Sequence, residues 1–357
     1  MAYTTIDDPG LFFNTVTWTG NDNESRDIDG GGFQPDWVWG KRRDDAAGHN
    51  LLDAVRGAGE NSELQSNSSG AEGGGAQDRF GYLSAFLSDG FRVEDGSEAS
   101  GDKAYWNQNN ATYVAWCWKA NGSGSSNTDG DQTTTVSAET TAGLSICAFT
   151  EAGSAPYSFG HGLGVEPDMV WFKTRPGSGS WQIYFKALGS PSGKLLQLDN
   201  TNNVNTSSTW WGTINSSIVT INAGLITPNT TAIAYCFAEK KGYSKFSTYT
   251  GNGSTDGPFV YCGFKPAFVL VKRLSGTTQG WYLWDNRRNG FNPDNFNLEA
   301  NDSPADDTGN KRIDFFSTGF KWRVNDTIVN NSGTEYLFIA FAESPIVNSN
   351  GVPNNAE

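Results

Sequence analysis

Apolar residues in this chain gather in runs of four to eight, separated by stretches rich in Gly, Asn, Ser, Thr and Asp. That spacing predicts short strands joined by turns rather than helices. One run occurs three times. Gly-Phe-Gln-Pro-Asp-Trp-Val-Trp-Gly-Lys-Arg fills residues 32–42, Gly-Val-Glu-Pro-Asp-Met-Val-Trp-Phe-Lys-Thr residues 164–174, and Gly-Phe-Lys-Pro-Ala-Phe-Val-Leu-Val-Lys-Arg residues 263–273. Pro35, Pro167 and Pro266 coincide when the three are overlaid. In each, glycine and proline punctuate the chain before aromatic and β-branched residues that end in a lysine, which reads as a turn feeding a buried strand. A second run also recurs, at residues 113–118, 232–237 and 336–341. It is apolar on both faces and so predicts a central strand covered on both sides. From signature proline to the last aromatic of this closing strand the spacings are 83, 70 and 75 residues.

The remaining runs follow the same order. A first strand is predicted at residues 15–20, 145–150 and 246–251, and a strand after the signature at 49–57, 181–189 and 281–288. Asn67, Asn200 and Asn301 take corresponding places further on. Hairpin signals fall at Asp89-Gly90, near residues 218–221, and at Thr318-Gly319. About seven strands per hundred or so residues predicts an all-β chain of three tandem β-sandwich repeats of jelly-roll or lectin-like type. The expected boundaries are 1–121, 143–242 and 243–345, with a Gly/Ser/Asn/Thr-rich linker at 122–142 and a polar C-terminal tail at 346–357. A flexible linker there predicts that the first repeat moves against a rigid pair formed by the other two. The alternative, one continuous three-unit assembly with a shared core, is disfavoured by that linker.

Composition agrees with the pattern. The 357 residues include 43 Gly and 13 Trp but 2 His and 2 Met, with aromatics at 13% and charged residues at 18%. A formal net charge of -14 argues against a nucleic-acid partner, since phosphate neutralisation needs clustered Lys and Arg. The basic triplet Lys41, Arg42 and Arg43 reads as a solvated strand end. Neither a signal peptide nor an apolar membrane span is visible, so no membrane insertion is expected. Cys117 and Cys236 take one position in two repeats where the third has Ala340. All four cysteines therefore read as small buried hydrophobes rather than bridges or metal ligands.

The chain resembles a family of tandem-repeat virion proteins of tailed, often marine, bacteriophages. The resemblance lies in the Met-Ala-Tyr-Thr-Thr-Ile-Asp start, Thr-Gly-Asn near residues 20 and 250, the Gly-Phe-x-Pro signature, Gly160-His-Gly-Leu-Gly-Val165, Tyr113-Val-Ala-Trp-Cys-Trp-Lys119 and Tyr243-Ser-Lys-Phe246, and it extends from Met1 to about Pro345. It implies a structural protein made in the host cytoplasm and carried in the virion, either tail-fibre or lectin-like. Such a protein would associate with other virion proteins, with host-surface glycan, and with copies of itself, as a trimer if it is a fibre. A capsid decoration protein is the alternative. No catalytic residues come with the resemblance.

Candidate chemistry is sparse. His49 and His161 have no nucleophile motif beside them, and His161 between two glycines reads as a turn residue. Asp27 with Asp29, and Asp129 with Asp131, suit calcium by type but complete no calcium loop, so no metal or cofactor is expected. No carboxylate pair stands out for glycoside hydrolysis. The aromatic excess is more informative. Trp181 and Trp281 follow Gly/Ser turns at the place of His49, and Trp210-Trp211 lies among Ser and Thr. These five residues, Trp181, Trp281, Trp210, Trp211 and His49, are the expected outward-facing binding positions, suited to stacking on sugars or on a partner protein.

Overall fold

The computed structural model describes residues 2–74, 78–151, 154–189, 193–222, 229–309 and 311–354. Among these the chain is all-β, its only helical segments being three-residue 3-10 turns. Among the described residues no helix is long and apolar enough to cross a membrane.

Three sheets share one strand order. In the first unit the order is Phe13–Thr19, Thr112–Trp118, Trp37–Arg42, Asn50–Asp53 and Leu64–Gln65. In the third unit it is Ser244–Thr250, Glu335–Pro345, Phe264–Arg273, Trp281–Asp285 and Leu298–Glu299. The second unit repeats it with Leu144–Thr150, Thr231–Phe237, Met169–Thr174, Gln182–Phe185 and Gly193–Gln197, then extends both edges. Every pairing is antiparallel, and the closing strand lies between the first strand and the signature strand. The signature's Pro-Asp follows from this register. The Asp36 and Asp168 amides donate to the carbonyls of Trp118 and Phe237, and their carboxylates accept from the amides of Ala120 and Glu239, each at 2.7 Å.

A smaller three-stranded sheet covers the outer face of each large one. These sheets are Ser25–Asp29 with Gly90–Glu94 and Tyr82–Leu87, Tyr157–Gly160 with Ile218–Ile221 and Trp211–Ile214, and Phe259–Tyr261 with Gly319–Trp322 and Ile313–Phe316. Each pair of sheets is a sandwich with its own apolar layer. Gly90 and Gly319 pass so close beneath the neighbouring strand that a Cβ would stand 2.0 Å from the carbonyl oxygens of Ile28 and Val260. Both turn signals end at these glycines, which no larger residue could replace.

The inner faces of the three large sheets meet one another. In the closing strands Val114, Trp116 and Trp118, then Ile233, Tyr235 and Phe237, then Leu337, Ile339 and Phe341 point into a single cluster. Trp37, Trp39, Met169, Trp171, Phe268 and Leu270 of the signature strands join it. Trp37 stacks on Tyr235 of the second unit at 4.5 Å, and Phe13 on Phe341 of the third at 5.3 Å. One core therefore runs through all three sandwiches. This corrects the expectation of a mobile first repeat: strands apolar on both faces need two covers, and here the second cover is the other two units.

Residues 122–142 are likewise not a free linker. They carry strands Ser125–Asn127 and Thr134–Glu139, the latter paired with Leu144–Thr150 at the edge of the second sheet. Of the tail, residues 346–354 fold back on the chain itself, the Ser349 amide and hydroxyl donating to Asp7 at 2.6 and 2.5 Å. Residues 355–357 lie outside the described residues. All four cysteines are buried and unbridged.

Candidate functional site

Most of the residues expected to face outward turn inward. Trp181, Trp281, Trp211 and His49 are fully buried. Trp181 donates its indole N–H to the carbonyl of Gln65 in the first unit, and Trp281 donates to that of Gln197 in the second, both at 2.8 Å. His49, at the equivalent position of the first unit, accepts the Trp39 indole N–H on Nδ1 at 2.9 Å. Its Nε2 makes no hydrogen bond of good geometry, although the Glu299 backbone of the third unit acts on the ring. Burial and the charge of Lys41 hold this imidazole neutral, well below its ordinary pKa. These three residues are joints between units, which is why they follow a turn and still carry large rings. Trp211 fills the outer core of the second unit against Tyr184.

The joints repeat around the core. The Asp53 carboxylate accepts from Arg56 Nε at 2.5 Å and from the Tyr235 hydroxyl at 2.7 Å. Asp285, at the same register position, accepts from Arg288 Nε at 2.6 Å and from the Trp116 indole at 3.0 Å. Burial alone would lower Arg56, but Asp53, Tyr235 and Glu72 hold its guanidinium well above the ordinary value. At the third boundary the corresponding positions are Phe185 and Ile339, both in the central cluster. The signature lysines are buried at one end of the same core. Burial pushes Lys41 and Lys173 down to about 8 and Lys272 to about 7. The backbone amides of His49, Trp181 and Trp281 each donate to a side-chain oxygen from a following loop, that of Asn67, Asp199 and Asn301 respectively. Asp199, not Asn200, is thus the counterpart of Asn67.

Other expected residues are also used within the fold. Arg42 pairs with Asp44 and Arg43 with Asp306, so the basic triplet is not a free patch. His161 is buried, its Nδ1 accepting from the Leu163 amide and its Nε2 meeting the Asn215 carbonyl. Asp27 pairs with Arg92, and Asp131 accepts from the Ser158 amide and hydroxyl. Among the described residues no group of three or more His, Cys, Asp or Glu is placed to hold a metal ion.

Of the cavities on the surface, two bear on binding. The larger of these two, about 550 Å³, lies at the end of the third sandwich between Lys265, Asn286, Arg287, the 290–294 loop, Phe315 and Glu343. Side-chain bonds to the backbone fix the loop: Asn292 donates to the Phe315 carbonyl at 2.8 Å and accepts from its amide at 2.9 Å, while Asp294 forms a reciprocal bridge with Ile313. Gly290 takes φ +81°, where a glycine is favoured. The loop so held presents the Phe291 ring to solvent, 71% exposed. On the opposite wall Asn286 donates to Glu343 at 2.8 Å and Lys265 pairs with it at 3.2 Å.

Asp294 is the unusual group of this cavity. It is 2% exposed. One carboxylate oxygen accepts from the Phe296 amide at 3.0 Å; the other makes no hydrogen bond of good geometry, although the Asn289 side chain acts on the group. Burial pushes its pKa up to about 7, against the opposing pull of the Phe296 bond and Arg288. Near neutral pH it can therefore either donate or accept a hydrogen bond. An aromatic plane beside amide and carboxyl groups is what a hydroxyl-rich ring requires. Sequence reading passed over Phe291 and Asp294; the available signal was a lone aromatic inside the turn-former run Asn289-Gly290-Phe291-Asn292-Pro293-Asp294.

The smaller cavity, about 210 Å³, is lined by Trp210, Phe172, Gln182 and the 176–180 loop of the second unit. Trp210 is the one expected binding residue that is only half-buried and lines a cavity.

One family model spans residues 8–345, and with them all three units and both cavities. The chain belongs to the family of the domain of unknown function DUF7483. No curated protein and no solved structure matches it. The DUF7483 match runs through all three sandwiches.

Proposed function

We propose that this DUF7483 chain is a non-enzymatic structural protein of a phage particle, tail-fibre or tail-associated, that binds host-surface glycan at the Phe291 cavity. The observation that carries the binding half is the exposed Phe291 ring beside Asn286, Asn292, Asp294 and Glu343 in one cavity of about 550 Å³. That volume lies in the range of small-ligand sites. The virion half rests on the sequence resemblance, and the closed threefold core supports it. A single chain of that shape suits the end of a three-chain shaft, with other virion proteins and further copies of itself as neighbours. The same threefold form favours one second reading, a decoration protein seated at a threefold position of a capsid.

The test has two parts. Antibody labelling of purified particles should place the protein at the tail at a few copies; labelling over the whole shell would select the decoration reading, and absence from particles would remove both. Purified protein should bind host-surface polysaccharide, and Phe291→Ala should weaken that binding about tenfold, roughly 1.4 kcal/mol. Asp294 and Glu343 share the cavity in unlike environments, an arrangement that glycoside hydrolysis also uses. Release of oligosaccharides that stops in Asp294→Asn would replace the non-enzymatic reading with a depolymerase.

A further inference from the structure

We propose that the cavity beside Trp210 is a second, separate binding site, shaped for the acetamido group of an N-acetylated sugar. It takes its ligand class from the glycan reading above, but its observations owe nothing to Phe291.

No charged side chain lines this cavity, so a neutral ligand suits it. Trp210, Phe172 and Pro176 supply apolar walls, with Trp210 and Phe172 rings 5.9 Å apart. Ser178, Ser180 and Gln182 supply polar ones. Two lining side chains carry an unmade hydrogen bond: the Trp210 indole Nε1 lacks an acceptor and Gln182 Oε1 lacks a donor. Gln182 is 8% exposed, and its Nε2 makes only a long bond, 3.3 Å, to the Ser180 carbonyl. Leaving a buried donor and a buried acceptor unpaired costs stability, and a ligand that pairs both removes that cost.

The two needs are those of one group. A secondary amide offers a carbonyl oxygen to the Trp210 N–H and an N–H to the Gln182 oxygen. Neither protein atom meets bulk water, so binding needs side-chain motion: the terminal torsion of Gln182 is broad and turning it presents the oxygen to the cavity, and a tilt of the half-buried Trp210 ring brings its N–H to the ligand. The amide's methyl group would then lie against Phe172 and Pro176, with the sugar ring on the open side of Trp210. About 210 Å³ is below the range of drug-sized sites, so it admits one substituent and its ring rather than a chain.

Saturation-transfer NMR on the full chain tests this with N-acetyl-D-glucosamine, D-glucose and N-methylacetamide as probes. The acetyl methyl of the amino sugar should receive the strongest saturation, with less on N-methylacetamide and, in Phe291→Ala, which removes the other sugar site, none on glucose. Trp210→Phe, which keeps a ring but not the N–H, and Gln182→Met should each weaken binding at least fivefold. Ser178→Phe, from an exposed loop position, should block the cavity without touching the core should those two misfold. Phe291→Ala should leave this binding unchanged. Equal saturation of glucose in Phe291→Ala, a full response to N-methylacetamide alone, or loss of sugar binding in Phe291→Ala but not in Trp210→Phe would overturn the proposal.

Discussion

Asp294 shows at the scale of one residue how the candidate site differs from the rest of the fold. The buried acids of the joints, Asp53 and Asp285, are ion-paired with a guanidinium, whereas one oxygen of Asp294 makes no hydrogen bond of good geometry. Its folded pKa of about 7 stands above the 3.8 of the free side chain. The folded chain thus holds this proton more tightly than the unfolded one does. That contribution to stability is complete below pH 3.8 and is lost as pH rises through about 7. Asp294→Asn, which does not titrate, should therefore gain stability over the parent between pH 4 and 8, by on the order of 4 kcal/mol at most. Urea unfolding of the two proteins across that range checks it; a difference that does not change with pH would refute the assignment. Little of this residue's role is legible in the sequence, because Asp in a turn is ordinarily solvated, and only the fold places Asp294 behind Phe291 and against Ile313. Trp181 and Trp281 misled for a related reason. A turn before a strand says where the chain reverses, not which side of the sheet the next ring takes.

At the scale of elements, the strands were legible and their neighbours were not. The signature and closing strands are where the repeats in the sequence put them, paired in one register in all three units. The Ser/Thr/Asn run at residues 122–142 looked like a linker because it has almost no apolar period. An edge strand needs little: Val136 and Ala138 touch the outer core, Thr134 and Ser137 are buried, and Thr135 faces solvent. Thr residues also favour extended backbone. The amides of residues 134–139 should accordingly exchange as slowly with deuterium as those of the first strand they pair with, residues 144–149. Complete exchange throughout residues 125–139 within seconds would restore the flexible-linker reading.

At the scale of the whole molecule, three sandwiches close around one core and lock it with buried acid joints at two boundaries; at the third Phe185 and Ile339 take their place beside the Trp281–Gln197 bond. The alternation of apolar residues on both faces of each closing strand announced a sheet with two covers. What could not be read was the identity of the second cover, since contacts between units join residues such as Trp116 and Asp285 that lie far apart in the chain. The central claim is that this shared core makes the three units one cooperative body, which holds the Phe291 and Trp210 cavities in fixed relation. Separate domains of such size would each unfold on their own. Scanning calorimetry of the full chain measures this directly. A single transition, with calorimetric and van't Hoff enthalpies equal, is the expected result; two or more resolved transitions, or one in which the calorimetric enthalpy is about three times the van't Hoff value, would contradict it.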